Sequence, residues 1–166
     1  MHGYLLDTNI VAYWFDPRRL QHERVIQRIQ DLPPEAPLVI SVITLGEIEY
    51  GLWLAPEDSG SSQEALREFV EHHLPMVLAI NQTTCTHYGM LRARLFEKYA
   101  PREKRRRGLR PEQLIDPVTS RELGIQENDL WLAAQALEFN LVLVTHDAMV
   151  RLRDVCEELQ IEDWTT

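Results

Sequence analysis

The sequence predicts an α/β fold with a mostly parallel sheet covered by helices on both faces. Short apolar runs recur along the chain: Gly3–Leu6, PLVIS (Pro37–Ser41), MVLAI (Met76–Ile80) and LVLVT (Leu141–Thr145). Stretches with helical apolar spacing separate them, the alternation expected of parallel strands joined by helical crossovers. Proline and turn residues punctuate the boundaries, as at Asp16-Pro17 and Pro33-Pro34.

Each element has a local reason. The first strand stops at Asp7, and Ile10–Phe15 is apolar enough for a short helix that Asp16-Pro17 ends. From about Arg18 to Asp31, Leu20, Val25, Ile26 and Ile29 share one helical face. After PLVIS, helical spacing returns through Val42, Leu45, Ile48 and Leu52; Thr44 and Glu47 have capping-box spacing, with Ser41 a competing N-cap. Pro56–Ser62 reads as a loop, Gln63–His73 as a helix, and Thr83–Tyr99 as a long helix after the MVLAI strand. Pro101–Gly124 is the least regular part, with a short helix expected near Pro111–Leu114. Asn128 or Asp129 then starts a helix that Asn140 ends, LVLVT follows, Asp147–Leu159 reads as helical, and IEDW (Ile161–Trp164) as a last edge strand.

A chain of 166 residues, 45% apolar and 26% charged, is expected to form one domain, 1–166, without disulfides or a structural metal. Cys85 and Cys156 are isolated and read as reduced, buried, inert thiols of a cytoplasmic protein. No apolar stretch approaches the ~18 residues of a membrane span, and no basic region followed by an apolar one opens the chain, so neither membrane nor export is expected. The net charge of −9 argues against a generally basic nucleic-acid binder, yet Pro101–Glu112 carries +4 while the remainder carries −13. Such a basic stripe suits phosphate, or is simply a solvated loop.

The acidic residues fall at matching places. Asp7 follows the first strand, Asp147 follows LVLVT, Glu47 lies in the first turns of the helix after PLVIS, and Asp129 opens the helix leading into LVLVT. Parallel strands would bring all four to the carboxyl edge of the sheet, where open α/β folds bind ligands. Acids also cap helices there, so Asp7 and Asp129 read equally as caps. Glu47 lies among apolar residues, and its spacing from Thr44 turns it, rather than Glu49, inward. Two unit charges ~4 Å apart repel by about 4 kcal/mol at an effective dielectric near 20, so gathered carboxylates need a compensating cation. Hard oxygen donors suit Mg2+ or Mn2+, and phosphodiester hydrolysis is the chemistry such a group serves, with one ion or two left open.

In YLLDTNIVAYW, ISVITLGEIEYGL, ENDLWLAAQALEFNLVLVTHD and the closing IEDW, the chain resembles the PIN domain, most closely the VapC-type toxins of toxin–antitoxin pairs. The resemblance implies a three-layer α/β/α fold, a divalent-metal-dependent endoribonuclease, RNA as substrate, a homodimer and a cognate antitoxin that blocks the site. The family's acidic positions fall on Asp7, Glu47, Asp129 and Asp147. Asp7, Asp129 and Asp147 would be Mg2+ (or Mn2+) ligands, direct or through water. Glu47, the fourth metal-site residue, would hold metal-bound water and assist its deprotonation. Supporting polar positions fall on Asn9 and Thr145, with Thr8 and Ser41 less securely matched. The span of about 100–124 reads as an insertion relative to the family, and Arg102, Lys104, Arg105, Arg106, Arg107 and Arg110 within it are candidates for RNA phosphate contacts.

Rival readings are a PIN-like module that grips RNA or protein without cutting, and a host RNA-processing nuclease with no antitoxin. The haloacid-dehalogenase signature is excluded because its second aspartate position is Asn9. No nucleotide-binding, serine-hydrolase or zinc-protease motif is present. His146 borders the site or is a polar loop residue.

Overall fold

The computed structural model describes residues 3–56, 60–104 and 108–166. In chain order the elements are β1 (Tyr4–Leu6), α1 (Thr8–Phe15), α2 (His22–Gln30), β2 (Leu38–Ser41), α3 (Val42–Leu54), α4 (Gly60–His73), β3 (Val77–Leu78) and α5 (Gln82–Tyr99). There follow an irregular connection, α6 (Glu127–Glu138), β4 (Val142–Val144), a 3-10 stretch (Ala148–Asp154) and β5 (Ile161–Glu162). The five strands form one sheet in the order β3-β2-β1-β4-β5, and every neighbouring pair is parallel.

The layers follow from strand alternation, in which successive side chains face opposite sides. Leu5, Val39 and Leu143 point to one face, under Leu91 and Leu95 of α5, Leu130, Ala133 and Ala134 of α6, and Met149 and Leu152. Leu6, Ile40 and Val144 point to the other, under Ile10 and Val11 of α1, Val25 of α2, Ile48 of α3 and Val70 of α4. Strands buried on both faces read as unbroken apolar runs, as parallel sheets require. The result is a three-layer α/β/α arrangement.

Several boundaries differ from the sequence reading, each for a local reason. The strands are shorter, although single backbone bonds at Gly3, Pro37, Met76 and Thr145 carry the ladder past their ends. Leu20 does not face the core: it is 94% exposed, because Asp16 holds the backbone N–H of Arg18 at 3.0 Å and its carbonyl that of Arg19, and this turn delays α2 until His22. Ser41, not Thr44, caps α3, accepting from the Ile43 N–H at 3.0 Å. The segment after Asp147 is a 3-10 stretch ending at Asp154 rather than a helix to Leu159; Arg151 is drawn to Asp116 at 2.6 Å and Arg153 to the Ile161 carbonyl, fixing it to two separate neighbours. Cys85 is exposed, because the N-terminal turn of α5 presents it outward; Cys156 is buried. Between α5 and α6 the chain makes 3-10 turns at Arg102–Lys104 and Pro111–Gln113 and one antiparallel bridge, Ile115 to Glu122.

The chain's last strand is tied down by apolar and polar contacts together. Trp164 is fully buried, tilted against Tyr4 with ring centroids 5.3 Å apart, and its indole N–H donates to Glu162 at 2.8 Å. Arg24 and Arg28 of α2 reach the Thr165 carbonyl and Glu162 at 2.5 and 3.1 Å. Trp164→Ala is expected to lower unfolding stability by about 3–5 kcal/mol, read as a reduced urea midpoint with an unchanged slope.

Candidate active site

The strand order turns at β1: β2 and β3 extend the sheet to one side, β4 and β5 to the other. Such a switch point opens a crevice at the carboxyl ends of the two diverging strands. Asp7 directly follows β1, and Thr145 and Asp147 follow β4. The ladder runs one bond past the strand ends, where the Asp7 N–H donates to the Val144 carbonyl at 3.0 Å.

Asp7 is only 5% exposed. It is the N-cap of α1, one carboxylate oxygen accepting from the Thr8 N–H at 2.7 Å. The other accepts from the Thr145 hydroxyl at 2.7 Å and from the Asn9 amide at 2.9 Å. Asn9 is held in turn by the His146 N–H, which donates to its Oδ1 at 3.2 Å, and Thr145 Oγ1 accepts from the Asp147 N–H at 3.0 Å. Asn9 and Thr145 thus sew the loop after β4 onto the start of α1. Burial pushes the Asp7 carboxyl up to about 6, against these hydrogen bonds, with Asp147 and Glu47 adding repulsion.

Asp129 is 8% exposed in the first turn of α6, where it accepts from the Gln126 N–H at 2.7 Å. The capping reading therefore holds for both aspartates, alongside their place in the crevice. Burial pushes Asp129 up to about 7, and Asp7, Asp147 and Glu47 push it the same way. Glu47 is half-buried, and both its oxygens are engaged. Thr8 donates its hydroxyl to Oε2, and Asn128 donates its side-chain N–H to Oε1 at 2.8 Å. Its neighbour Glu49 turns to Arg67, with 2.6 Å between Nε and the carboxylate. Asp147 is exposed and its carboxylate caps nothing.

Asp7 and Asp129 thus each lie within electrostatic reach of Glu47 and Asp147, and Asp129 within reach of Asp7. The largest influences on Asp7 and Asp129 are burial, hydrogen bonds and other carboxylates, with no Lys or Arg among them. Among the described residues no salt bridge engages any of the four acids. The donor set is all hard oxygen, which fits Mg2+ or Mn2+. Among the described residues, no three His, Cys, Asp or Glu side chains form a ready-made cage; the fit is to an ion that keeps several waters and takes one or two carboxylates.

Other predicted residues fall elsewhere. The His146 ring is engaged by the last residues of the sheet edge, its Nδ1 lying 3.0 Å from Asp163 and 2.7 Å from the Thr165 hydroxyl. Ser41 is fully buried as the cap of α3. Arg102 and Arg110 are exposed, Lys104 ends a 3-10 turn, and Arg105, Arg106 and Arg107 lie outside the described residues. Sequence reasoning passed over Asn128: beside Asp129 at a helix start, an Asn reads as a cap, and only the crossing of α3 and α6 reveals its link to Glu47.

The PIN-domain family model matches residues 4–157. The chain belongs to the PIN-domain family. It is similar to ribonuclease VapC1 of Haemophilus influenzae strain R2866, 33% identical over 164 residues that span 98% of each chain. Among solved structures it resembles VapBC-1 from nontypeable Haemophilus influenzae, with 30% identity, a TM-score of 0.67 and 98% of both chains covered. VapBC2 from Rickettsia felis, bound to a promoter DNA fragment, shares the fold at 22% identity and a TM-score of 0.67, over 97% of this chain and 98% of that one.

The raised carboxyls set a sign for pH dependence. Asp7 and Asp129 titrate near 6 and 7 when folded and near 3.8 when unfolded, so between those limits the folded protein holds more protons. Stability of the metal-free protein is therefore expected to fall as pH rises from about 4 to about 7, by on the order of a few kcal/mol. Thermal melts in chelator at pH 5 and pH 8 check this. Asp7→Asn is expected to raise the pH 8 melting temperature and leave the pH 5 value nearly unchanged.

Proposed function

We propose that the chain is the ribonuclease toxin of a toxin–antitoxin pair: an endoribonuclease that hydrolyses RNA phosphodiester bonds with Mg2+ or Mn2+. The observation that carries this reading is the pair of buried aspartates, Asp7 and Asp129, both raised toward neutrality and both without a cationic partner among the described residues. Such burial is costly unless a divalent cation completes the site. The similarity to ribonuclease VapC1 along nearly the whole chain supports the reaction class. Likeness to VapBC-1 supports a cognate antitoxin as partner.

In this reading Asp7, Asp129 and Asp147 are the metal ligands, direct or through water. When bound, the ion would offset the carboxylates' charge and favour attack of water on phosphorus. Glu47, its carboxylate fixed at the mouth of the crevice, accepts the proton of the attacking water. Asn9 and Thr145 hold the Asp7 carboxylate in one rotamer, so it does not have to reorganise when substrate arrives. Exposed Asp147 completes the set from the β4 side. Residues 1–166 act as one cytoplasmic domain, as a homodimer whose sites the antitoxin covers. The 100–124 span is an insertion whose Lys104, Arg105, Arg106 and Arg107 contact RNA phosphates.

Purified protein assayed against a panel of structured RNAs is expected to cleave in Mg2+ or Mn2+ and to stop on chelation. Asp7→Asn and Asp129→Asn are each expected to abolish cleavage with the fold intact. RNA binding that persists unchanged without metal, and no cleavage with it, would instead identify a binding module. Replacing Arg105, Arg106 and Arg107 together with Ala is expected to weaken RNA binding and reduce the salt dependence, by roughly 2 in the log–log slope. An unchanged slope removes the phosphate role.

A further inference from the structure

Glu47 is the acid with the longest side chain in the crevice and the most rotamers to lose. Left alone, a half-exposed glutamate near three other carboxylates would swing outward to water, away from their repulsion. The structure holds it inward by two neutral donors from two other helices. Thr8, the first residue of α1, donates to Oε2, and Asn128, the second residue of α6, donates to Oε1 at 2.8 Å. A carboxylate offers about four lone-pair sites, so each oxygen keeps one for another partner. Asn128 is suited to this place: its amide donates without adding charge beside Asp129. An aspartate there, equally good at a helix start, would repel both Glu47 and Asp129.

The polar contact also marks a boundary. A groove of about 340 Å³ lies over the exposed start of α3, lined by Val42, Ile43, Gly46, Tyr50, Glu47 and Asn128. Glu47 and Asn128 form its polar end. If the Asn128 contact is lost, the glutamate has this open space to turn into.

We propose that Asn128 is a positioning residue that locks the Glu47 carboxylate into the acidic crevice, joining α6 to α3 across the site. In this role it acts on the reaction only through Glu47. The inference rests on the ribonuclease reading for its consequence in cleavage, but the placement of Glu47 is testable apart from it.

A double-mutant cycle makes the test. Asn128→Ala is expected to lower kcat tenfold to a hundredfold, with the KM for RNA unchanged, and to raise the Mn2+ concentration for half-maximal cleavage about tenfold. In a Glu47→Ala background, which offers the Asn128 amide no acceptor, the same substitution is expected to cause no further loss. A readout without substrate is the rise in melting temperature caused by Mn2+: Asn128→Ala is expected to reduce it in the native background and leave it unmoved beside Glu47→Ala. Asn128→Ser, whose hydroxyl is too short to reach Glu47 but which suits a helix start, answers for any failure of the alanine variant to fold.

Equal losses in both backgrounds, or none in either, overturn the proposal. If the native protein cleaves RNA and Asn128→Ala matches it, the proposal fails and the ribonuclease reading stands. If the native protein cleaves no RNA but its Mn2+-induced stabilisation depends on Asn128 through Glu47, the positioning role stands and the ribonuclease reading fails. If Mn2+ does not stabilise the native protein and no RNA is cut, both fail.

Discussion

The register of β1 against β4 is the constraint from which the site follows. Tyr4, Leu5 and Leu6 lie opposite Val142, Leu143 and Val144, so the next residues out, Asp7 and Thr145, emerge side by side. Their hydrogen bond at 2.7 Å is a direct product of that pairing. A slip of one residue would turn Leu5 and Leu6 to the wrong faces and part Asp7 from Thr145 at the same stroke. The apolar demand of two cores therefore fixes the placement of the polar site above them.

Around that point the protein surrounds acidic groups with neutral donors. Backbone N–H groups, the Thr8 and Thr145 hydroxyls and the Asn9 and Asn128 amides orient the carboxylates without neutralising them. Several cations among the described residues are paired with other acids, Arg67 with Glu49, Arg92 with Glu127 and Arg151 with Asp116. Orientation is thus built in, while among the described residues no salt bridge balances the four charges. The metal-free protein is expected to lose folding stability toward neutral pH as a result, with function opposing stability at one place while the remainder of the fold obeys ordinary rules.

Much of this was legible in the residues. The alternation of apolar runs with helical stretches foretold the parallel sheet, and the position of Asp7 at a strand end pointed to the crevice. Glu47 rather than Glu49 faces inward, as its helical spacing indicated. Other features depended on distant contacts. Leu20 has the spacing of a core residue, but the turn built on Asp16 comes first and leaves it in solvent. Ser41 and Thr44 are both plausible caps by type, and only the backbone at Ser41 decides between them. The run from Asp147 onward has helical composition, yet tertiary bonds to Asp116 and the Ile161 carbonyl hold it in tighter turns. Asn128 carries no signal that separates a cap from a link to a residue 81 positions away.

Strand β1 has three residues and sits at the centre of the sheet, Leu5 serving one core and Leu6 the other. The two halves of the molecule therefore share a single wall. Neither keeps its floor once that wall is gone, so opening is expected to be concerted, with amide protons on β1, β2 and β4 exchanging with solvent together.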